Sequence, residues 1–401
     1  MAHGEEGLRQ QSLEAVDLTA ARADSRSANP HYSRVIVIAG TRPETIKLAP
    51  VIHALVRRHG LRPLVMNSGQ HAEAVRRSLE EFGLNADCTL ESAHSSANLS
   101  TAVRHLERSI RSALLQYRPR IVLVQGDTST AYAGARAAAA QGCLVAHIEA
   151  GLRTPFAAEP FPEEWFRRRI TSHADIHFVP TPGSRDNLLA EGVDPGAVHL
   201  VGNTGIDSLR QVIDELRSEP GRQARAPYQV AVTLHRRENW DHNADVICDA
   251  LLDLSAQRPD LSFLLPVHPN PRVARRIARK LGAHPCFSLV KPMRYREFVA
   301  QAARAALIVS DSGGIQEEAP YLGVPLLVPR SCTERPEALA TGFVRLVDVR
   351  RESIVREALD LLARPRRQPV SFGPGAPFGD GLASARIVEV IEALAAEPLA
   401  A

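Results

Sequence analysis

The 401-residue sequence has no long hydrophobic run and few cysteines. No apolar stretch approaches the roughly 20 residues that a membrane-spanning helix needs, so no membrane association is expected. The five cysteines are scattered and form no CxxC pair, which argues against a disulfide framework and a zinc site and favours a reducing cytoplasm. The formal net charge of +3 is too small to indicate a nucleic-acid partner.

Three common catalytic or cofactor motifs are also absent. No histidine pair has a metal-ligand spacing such as HExxH, and no GxSxG motif occurs. The first predicted strand runs into GTRPE where a dinucleotide-binding strand would run into GxGxxG. We therefore expect neither a metal, nor a nicotinamide cofactor, nor a covalent nucleophile.

Short β-branched runs alternate with amphipathic helical patterns along most of the chain. Residues 1–33 are polar and of mixed charge, so they are predicted to be a disordered or loosely attached extension. The alternation covers residues 34–203 and restarts over residues 204–381, which predicts an α/β protein of two Rossmann-like, doubly wound parallel-sheet domains. A last helix over residues 382–398, after a Pro/Gly-rich stretch, is predicted to return to the first domain.

Most polar motifs follow a predicted strand. Open parallel sheets bind ligands at the carboxyl ends of their strands, so these loops predict a site in the cleft between the two domains. The loops in question are GTRPETIK, SGQH, QGDTST, HIEAGLR, TLHRREN, PVHPNPR, SDSGGIQEE and RSCTERPE.

The loop SDSGGIQEE is the sharpest phosphate-binding signal. A strand leads to Ser312, Gly313 and Gly314 at a predicted helix start, where backbone N–H groups and the helix dipole favour an anion. Glu318 lies one turn further on, within reach of ribose hydroxyls. An ordinary Ser/Gly helix cap is the alternative interpretation.

Cationic side chains occupy two further loops. His235, Arg236 and Arg237 follow a strand, and Arg42 and Lys47 lie about one helical turn apart near a helix start. Arginine grips a diphosphate through paired hydrogen bonds, so both loops suit a nucleotide ligand. A surface cluster of basic residues is the alternative.

Three carboxylates follow apolar segments of the first predicted domain, namely Asp127, Glu149 and Glu163. Carboxylates at buried strand ends and near one another are expected to have raised pKa values and can act as acid or base. Asp127 could instead cap a helix, and Glu163 and Glu164 could be ordinary acids of a first helical turn.

The order of these motifs resembles one family. GTRPETIKLAP, SGQH, QGDTST, HIEAGLRT, PEEWFRR, GNTGID, TLHRREN, PVHPNP, SDSGGIQEEAPYLGVP and TERPE occur in the order typical of the non-hydrolysing UDP-N-acetylglucosamine 2-epimerases, over about residues 34–390. The resemblance implies the GT-B arrangement of two Rossmann-like domains, no cofactor and a homodimer. It implies conversion of UDP-N-acetylglucosamine to UDP-N-acetylmannosamine by elimination and re-addition of UDP through 2-acetamidoglucal.

Matched by motif, the resemblance also implies roles for individual residues. The implied catalytic residues are Asp127, Glu149, Glu163 and His235. The implied substrate-binding residues are Arg42, Lys47, Arg167, Arg236, Phe298, Ser312, Gly313, Gly314, Glu318 and Arg335, with Phe298 near the uracil.

One position departs from the family pattern. Family members usually carry Asn before Arg167, where this chain has Phe166. Related activities stay open as alternatives: epimerisation of a modified UDP-amino sugar, hydrolytic release of the free sugar, a GT-B glycosyltransferase, or a non-catalytic nucleotide-sugar sensor.

Overall fold

A computed structural model describes most of the chain. The described residues are 35–58, 61–91, 98–155, 160–218, 229–236, 239–268 and 270–396. The predicted extension over residues 1–33 and the side chain of Arg237 therefore lie outside the described residues.

The first sheet has seven parallel strands in the order β3-β2-β1-β4-β5-β6-β7. The central strands consist of buried aliphatic residues, as expected for a parallel sheet covered on both faces. The strands are β1 (Val35–Ala39), β2 (Leu64–Asn67), β3 (Cys88–Thr89), β4 (Ile121–Gln125), β5 (Leu144–Ile148), β6 (Ile176–Val179) and β7 (Val198–Leu200).

Helices connect these strands and cover both faces of the sheet. The first of them starts with a capping box, in which Thr41 and Glu44 each accept a hydrogen bond from the other's backbone N–H. The helices are α1 (Arg42–Arg57), α2 (Ala72–Glu81), α3 (Leu99–Tyr117), α4 (Ser129–Ala139), α5 (Glu163–Thr171) and α6 (Pro182–Ala190).

The second sheet has six parallel strands in the order β10-β9-β8-β11-β12-β13. Its core is again aliphatic, with a stacked pair of rings formed by Phe263 and Phe287. The strands are β8 (Val230–Thr233), β9 (Phe263–Pro266), β10 (Phe287–Val290), β11 (Leu307–Ser310), β12 (Leu326–Pro329) and β13 (Val344–Val347).

The remaining helices surround the second sheet or join the two halves. They are α7 (Thr204–Ser218), α8 (His242–Gln257), α9 (Pro271–Leu281), α10 (Tyr295–Ala302), α11 (Gly313–Leu322), α12 (Pro336–Ala340), α13 (Arg351–Ala363) and α14 (Ala383–Ala396). Helix α7 packs against α1 as well as against α10 and α11. The last helix, α14, packs on α1 and buries Ile387 and Ile391 in the core of the first sheet.

The predicted fold class is confirmed, because both sheets are parallel and doubly wound. In each sheet the strand order reverses at one point, the topological switch point. It lies between β1 and β4 in the first sheet and between β8 and β11 in the second. Crevices at such points are the usual ligand sites of open α/β sheets. Among the described residues, no helix is long and apolar enough to cross a membrane.

Candidate active site between the two sheets

The predicted loops converge at these two switch points. Asp127 follows β4 and Glu149 follows β5, beside the start of α1. From the second sheet, His235 follows β8 and Ser312 follows β11. Ion pairs between the two sets of loops show that the carboxyl edges of the sheets face one another.

Lys47 lies at the centre of these ion pairs. Its side chain is buried, and its Nζ atom donates to Glu149 Oε1 at 2.6 Å and to Glu317 Oε2 at 3.0 Å. Arg335 contacts the same two carboxylates, with distances of 3.2 Å to Glu149 and 2.5 Å to Glu317. Lys47 and Glu149 belong to the first half and Glu317 and Arg335 to the second, so the four charges join the halves.

Glu149 has an unusual backbone conformation. Its φ angle is +67°, in the left-handed region that few non-glycine residues adopt. Such strain is often found at functional sites, where the surrounding structure holds a side chain in place. Burial raises the pKa of Glu149, against the opposing positive charge of Lys47, and Gln125 donates a hydrogen bond to its other oxygen. A carboxyl group with a raised pKa suits acid–base chemistry near neutral pH.

Asp127 forms an ion pair with Arg167, with 2.5 Å between Oδ2 and Nη2, and 28% of its side chain is exposed. The adjacent Thr128 is the residue that caps α4, so the alternative in which Asp127 serves as the cap is wrong. The expected raised pKa of Asp127 is also wrong. Burial alone would raise it, but the positive charges of Arg167, Arg236 and Arg335 together outweigh burial, and the pKa is lowered.

The loop that carries Asp127 is held by a histidine that the sequence analysis did not single out. His147 on β5 contacts the Gly126 carbonyl oxygen through Nε2 at 2.8 Å, and the Gly126 N–H donates to the Ile148 carbonyl. Burial lowers the pKa of His147 to about 3, so its ring is neutral and donates to this carbonyl. The backbone before Asp127 is thereby fixed to β5.

The two glutamates at the start of α5 have different surroundings. Glu163 is half-buried, and its pKa is raised by desolvation and by the nearby negative charge of Asp127. Glu164 is fully buried and pairs with Arg167 at 3.0 Å. Glu163 therefore combines access with a raised pKa, as an acid–base group requires.

Phe166, the departure from the family pattern, does not face the site. Its ring is 1% exposed and packs in the core formed by α3, α4 and β4, with its centroid 5.2 Å from that of Tyr132. The neighbouring Arg167 carries the polar contacts of this turn.

A buried carboxylate that the sequence analysis missed gathers four arginines. Glu334 lies 2.7 Å from Arg236, 3.2 Å from Arg330 and 3.5 Å from Arg167, and it also pairs with Arg335. These positive charges outweigh burial and hold the pKa of Glu334 well below its ordinary value. Arg167 and Arg236 lie far from Arg330 and Arg335 in the sequence, so no local sequence pattern predicts the cluster.

The loop SDSGG begins helix α11, as predicted. The Ser312 side chain makes no capping hydrogen bond to this helix, so the ordinary-cap interpretation does not describe it. Gly313 permits a close approach, because a Cβ atom there would lie 2.6 Å from the Arg335 guanidinium carbon. A Cβ on Gly314 would meet only the Ser312 hydroxyl, at 4.0 Å. The start of α11 is therefore open at Gly314 and lies directly beside an arginine.

Asp311 organises the cationic loop after β8. Its carboxylate accepts hydrogen bonds from the backbone N–H groups of His235 and Arg236, at 2.8 and 3.1 Å. The His235 ring lies at the edge of the cleft, with its centroid 5.7 Å from that of His268. Of the predicted cations, Arg236 thus joins the Glu334 cluster while His235 stays outside it.

The remaining predicted residues lie on the second-sheet side or reach it. Glu318 on α11 is buried, and burial raises its pKa to about 7. Phe298 on α10 is half-buried and packs on the second domain. Arg42 donates to the Met293 carbonyl oxygen at 2.7 Å, so it crosses to the second domain instead of joining the acidic cluster. Over the described part of the chain, no group of three His, Cys, Asp or Glu side chains could hold a metal ion.

Two parallel-sheet domains that face each other over a dense set of acids and bases define a GT-B-type enzyme with its site between the domains. The sequence model of the family described as UDP-N-acetylglucosamine 2-epimerase matches residues 53–392. The chain belongs to this family, and the resemblance inferred from the motifs is confirmed.

Individual relatives are similar over nearly their full length. The UDP-N-acetylglucosamine 2-epimerase of Escherichia coli (strain K12) is 39% identical over 372 residues, which cover 90% of this chain and 98% of that protein. The crystal structure of UDP-GlcNAc 2-epimerase from Neisseria meningitidis bound to UDP-GlcNAc has a TM-score of 0.84 at 36% identity and covers 90% of this chain and 100% of that one. The Methanocaldococcus jannaschii enzyme in complex with UDP-GlcNAc and UDP has a TM-score of 0.81 at 30% identity, with 90% and 99% covered.

Proposed function

We propose that this protein inverts carbon 2 of UDP-N-acetylglucosamine and gives UDP-N-acetylmannosamine. The observation that carries the proposal is the meeting of first-domain carboxylates with second-domain cations, seen most directly where Glu149 contacts Arg335. Relatives that cover the same length are named for this activity, and two related structures hold UDP-GlcNAc.

The proposed chemistry needs a base at carbon 2 and positive charge at the diphosphate. A carboxylate removes the carbon 2 proton, the C–H electron pair forms a double bond to carbon 1, and the bond from carbon 1 to the diphosphate oxygen breaks. UDP leaves with that electron pair, and 2-acetamidoglucal remains. Protonation of carbon 2 on the opposite face and re-addition of UDP at carbon 1 complete the inversion. No step is a net oxidation, so a nicotinamide has no part to play.

The two halves of the site suit these two tasks. Glu149 and Glu163 have raised pKa values and can take or give a proton near neutral pH. Asp127 pairs with Arg167, and its negative charge acts on Glu163. Arg236 and Arg335 are held around Glu334 beside the start of α11, where they can receive a diphosphate. In this proposal Ser312, Gly313 and Gly314 contact the phosphates.

The test is incubation of the purified protein with UDP-N-acetylglucosamine alone in heavy water, followed by proton NMR. We expect UDP-N-acetylmannosamine that carries deuterium at carbon 2, because the abstracted proton exchanges with solvent. Activity should survive treatment with EDTA. Free N-acetylmannosamine with equimolar UDP would indicate a hydrolysing enzyme, and absence of reaction until an acceptor is added would indicate a transferase. Product without deuterium would contradict the elimination route.

We further propose a homodimer that works in a reducing compartment. The dimer follows from the family resemblance, and the reducing compartment from five cysteines that are all unbonded. Sedimentation equilibrium at micromolar concentration should give twice the mass of the 401-residue chain, and a monomer at all concentrations would contradict the dimer.

A further inference from the structure

A short segment of the second domain, from Met293 to Tyr295, lies against the first domain. Arg42 on α1 donates to the Met293 carbonyl oxygen at 2.7 Å. The Tyr295 backbone N–H donates to Glu81 Oε2 at 2.8 Å, and the ring of Phe82 lies 6.1 Å from the Tyr295 ring between centroids. Helix α1 and the end of helix α2 therefore both hold this segment.

The side chain of Tyr295 points from this contact to Glu318 on α11. Its hydroxyl donates to Glu318 Oε1 at 2.8 Å, and the two side chains are buried. Burial and the adjacent carboxylate raise the pKa of Tyr295 well above its ordinary value, so the hydroxyl stays protonated and acts as a donor. One oxygen of Glu318 is thereby fixed, which sets the direction of the other.

We propose that Tyr295 is a positioning residue for Glu318 and makes ribose binding depend on the contact between the domains. Its backbone N–H is bonded to Glu81 in the first domain and its hydroxyl to Glu318 in the second. A shift of the first domain therefore moves Tyr295 and with it the carboxylate. The inference rests on the proposed function, in which Glu318 accepts hydrogen bonds from the ribose hydroxyls of UDP.

The test compares two nucleotides by calorimetry: UDP, and 2′,3′-dideoxyuridine diphosphate, which has no ribose hydroxyls. Tyr295→Phe keeps the ring and should weaken UDP binding about tenfold, the scale of a hydrogen bond to a charged group. Binding of the dideoxy nucleotide should change less than about twofold, since it makes no bond to Glu318. With UDP-N-acetylglucosamine as substrate, KM should rise while kcat is retained.

Glu81→Ala tests the hydrogen bond that connects Tyr295 to the first domain. We expect about a threefold loss of UDP affinity, confined again to the nucleotide with ribose hydroxyls. In the double variant Tyr295→Phe/Glu81→Ala, the change at Glu81 should cause no further loss of UDP affinity. Tyr295→Phe already removes the hydrogen bond to Glu318, and changes at coupled sites are not additive.

Two matched controls separate this role from general destabilisation. Glu80→Ala changes the neighbouring glutamate, whose carboxylate pairs with the exposed Arg76 on the same helix. Tyr321→Phe makes the same chemical change on α11, where the hydroxyl donates to the Gly379 carbonyl oxygen at 2.7 Å. Both variants should bind UDP within about twofold of the wild type.

Equal losses for the two nucleotides in Tyr295→Phe would overturn the proposal, because a purely structural role affects both. If the affinity losses of the two single variants multiply in the double variant, that result would overturn the proposed action of Glu81 through Tyr295. If Tyr295→Phe does not fold, Glu81→Ala with the two nucleotides decides alone. A wild-type protein that fails to bind UDP would instead count against the proposed function, which keeps the two failures distinct.

Discussion

The ammonium of Lys47 lies 2.6 Å from the carboxylate of Glu149, and both side chains are almost fully buried between the two domains. The same ammonium also contacts Glu317 in the second domain at 3.0 Å. Lys47 therefore neutralises two carboxylates that would otherwise repel each other in a medium where charges interact strongly. Its position joins the stability of the domain contact to the acid–base properties of Glu149.

Replacement of Lys47 by Met should destabilise the protein strongly. Removing one partner of a buried ion pair leaves its charge uncompensated, which typically costs about 3–5 kcal/mol. Turnover should also fall, because Glu149 would lose the positive charge that opposes the effect of burial on its pKa. Denaturant unfolding monitored by circular dichroism, together with NMR assays of turnover, measures both effects.

The double variant Lys47→Met/Glu317→Gln is the matched control for that change. It removes one positive and one negative charge together, so a large part of the lost stability should return. Unfolding free energies that are the same for the single and double variants would show that Lys47 acts through packing and not through its charge.

Asp127→Asn should lower turnover about 100-fold or more, the usual scale for loss of a general acid or base. UDP binding should be retained, since the proposed phosphate contacts lie on the second domain. The control is Asp186→Asn, at an exposed aspartate on α6 that pairs with Arg185. Turnover by NMR and UDP titration by calorimetry make the comparison, and a fully active Asp127→Asn would remove this residue from the mechanism.

Much of the fold was predictable because hydrophobic periodicity is a local property. The sequence over α3, Leu99–Tyr117, is amphipathic with a helical period, and the sequence over α4 is rich in small residues that favour a helix. Strands β6 and β7 were not recognised. The second of these has only three residues, Val198–Leu200, and lies at the sheet edge, so it lacks the continuous apolar run of a central strand. The residue limits of the two domains stay predictions.

The candidate site residues that directly follow a strand were predictable from the sequence. Asp127 and Glu149 were identified by their positions at strand ends, and the structure brings them to one edge of the sheet. Their partners were not predictable, because an ion pair such as Glu149–Arg335 joins residues 186 positions apart and exists only in the folded chain. The lowered pKa of Asp127 was not predictable for the same reason, because it depends on the contact with Arg167. The individual catalytic and binding roles stay proposals.

Glu318→Ala and Ser312→Ala should each weaken UDP binding by about tenfold, through loss of a ribose contact in the first and of a phosphate contact in the second. Ser218→Ala is a suitable control, because Ser218 is exposed at the end of α7 and its hydroxyl donates to the Glu215 carbonyl oxygen of the same helix at 2.8 Å. Calorimetric titration with UDP measures all three variants. Unchanged affinity in both test variants would place the nucleotide elsewhere.

The last prediction concerns Glu44, the capping-box residue behind the candidate site. Its carboxylate accepts the N–H groups of Gly40 and Thr41 at 2.7 and 2.6 Å and a hydrogen bond from the Thr128 hydroxyl. Burial nevertheless dominates and raises its pKa from 4.5 to about 7. The folded protein therefore holds this proton more tightly than the unfolded chain does.

A carboxyl group whose pKa is raised by folding contributes stability below its unfolded pKa, and that contribution is lost as the pH rises through the folded value. As the pH rises from 4.5 to about 7, the stability lost through Glu44 should grow to about 3 kcal/mol, because a pKa difference of one corresponds to 1.36 kcal/mol. Glu44→Gln keeps an acceptor for Gly40 and Thr41, and its amide can donate to Thr128. Relative to the wild type, this variant should gain stability from pH 5 to about pH 7 and level off above that pH in urea unfolding experiments. Glu80→Gln, an exposed control, should show no such trend, and a difference between Glu44→Gln and wild type that stays constant across this range would mean that Glu44 does not titrate there.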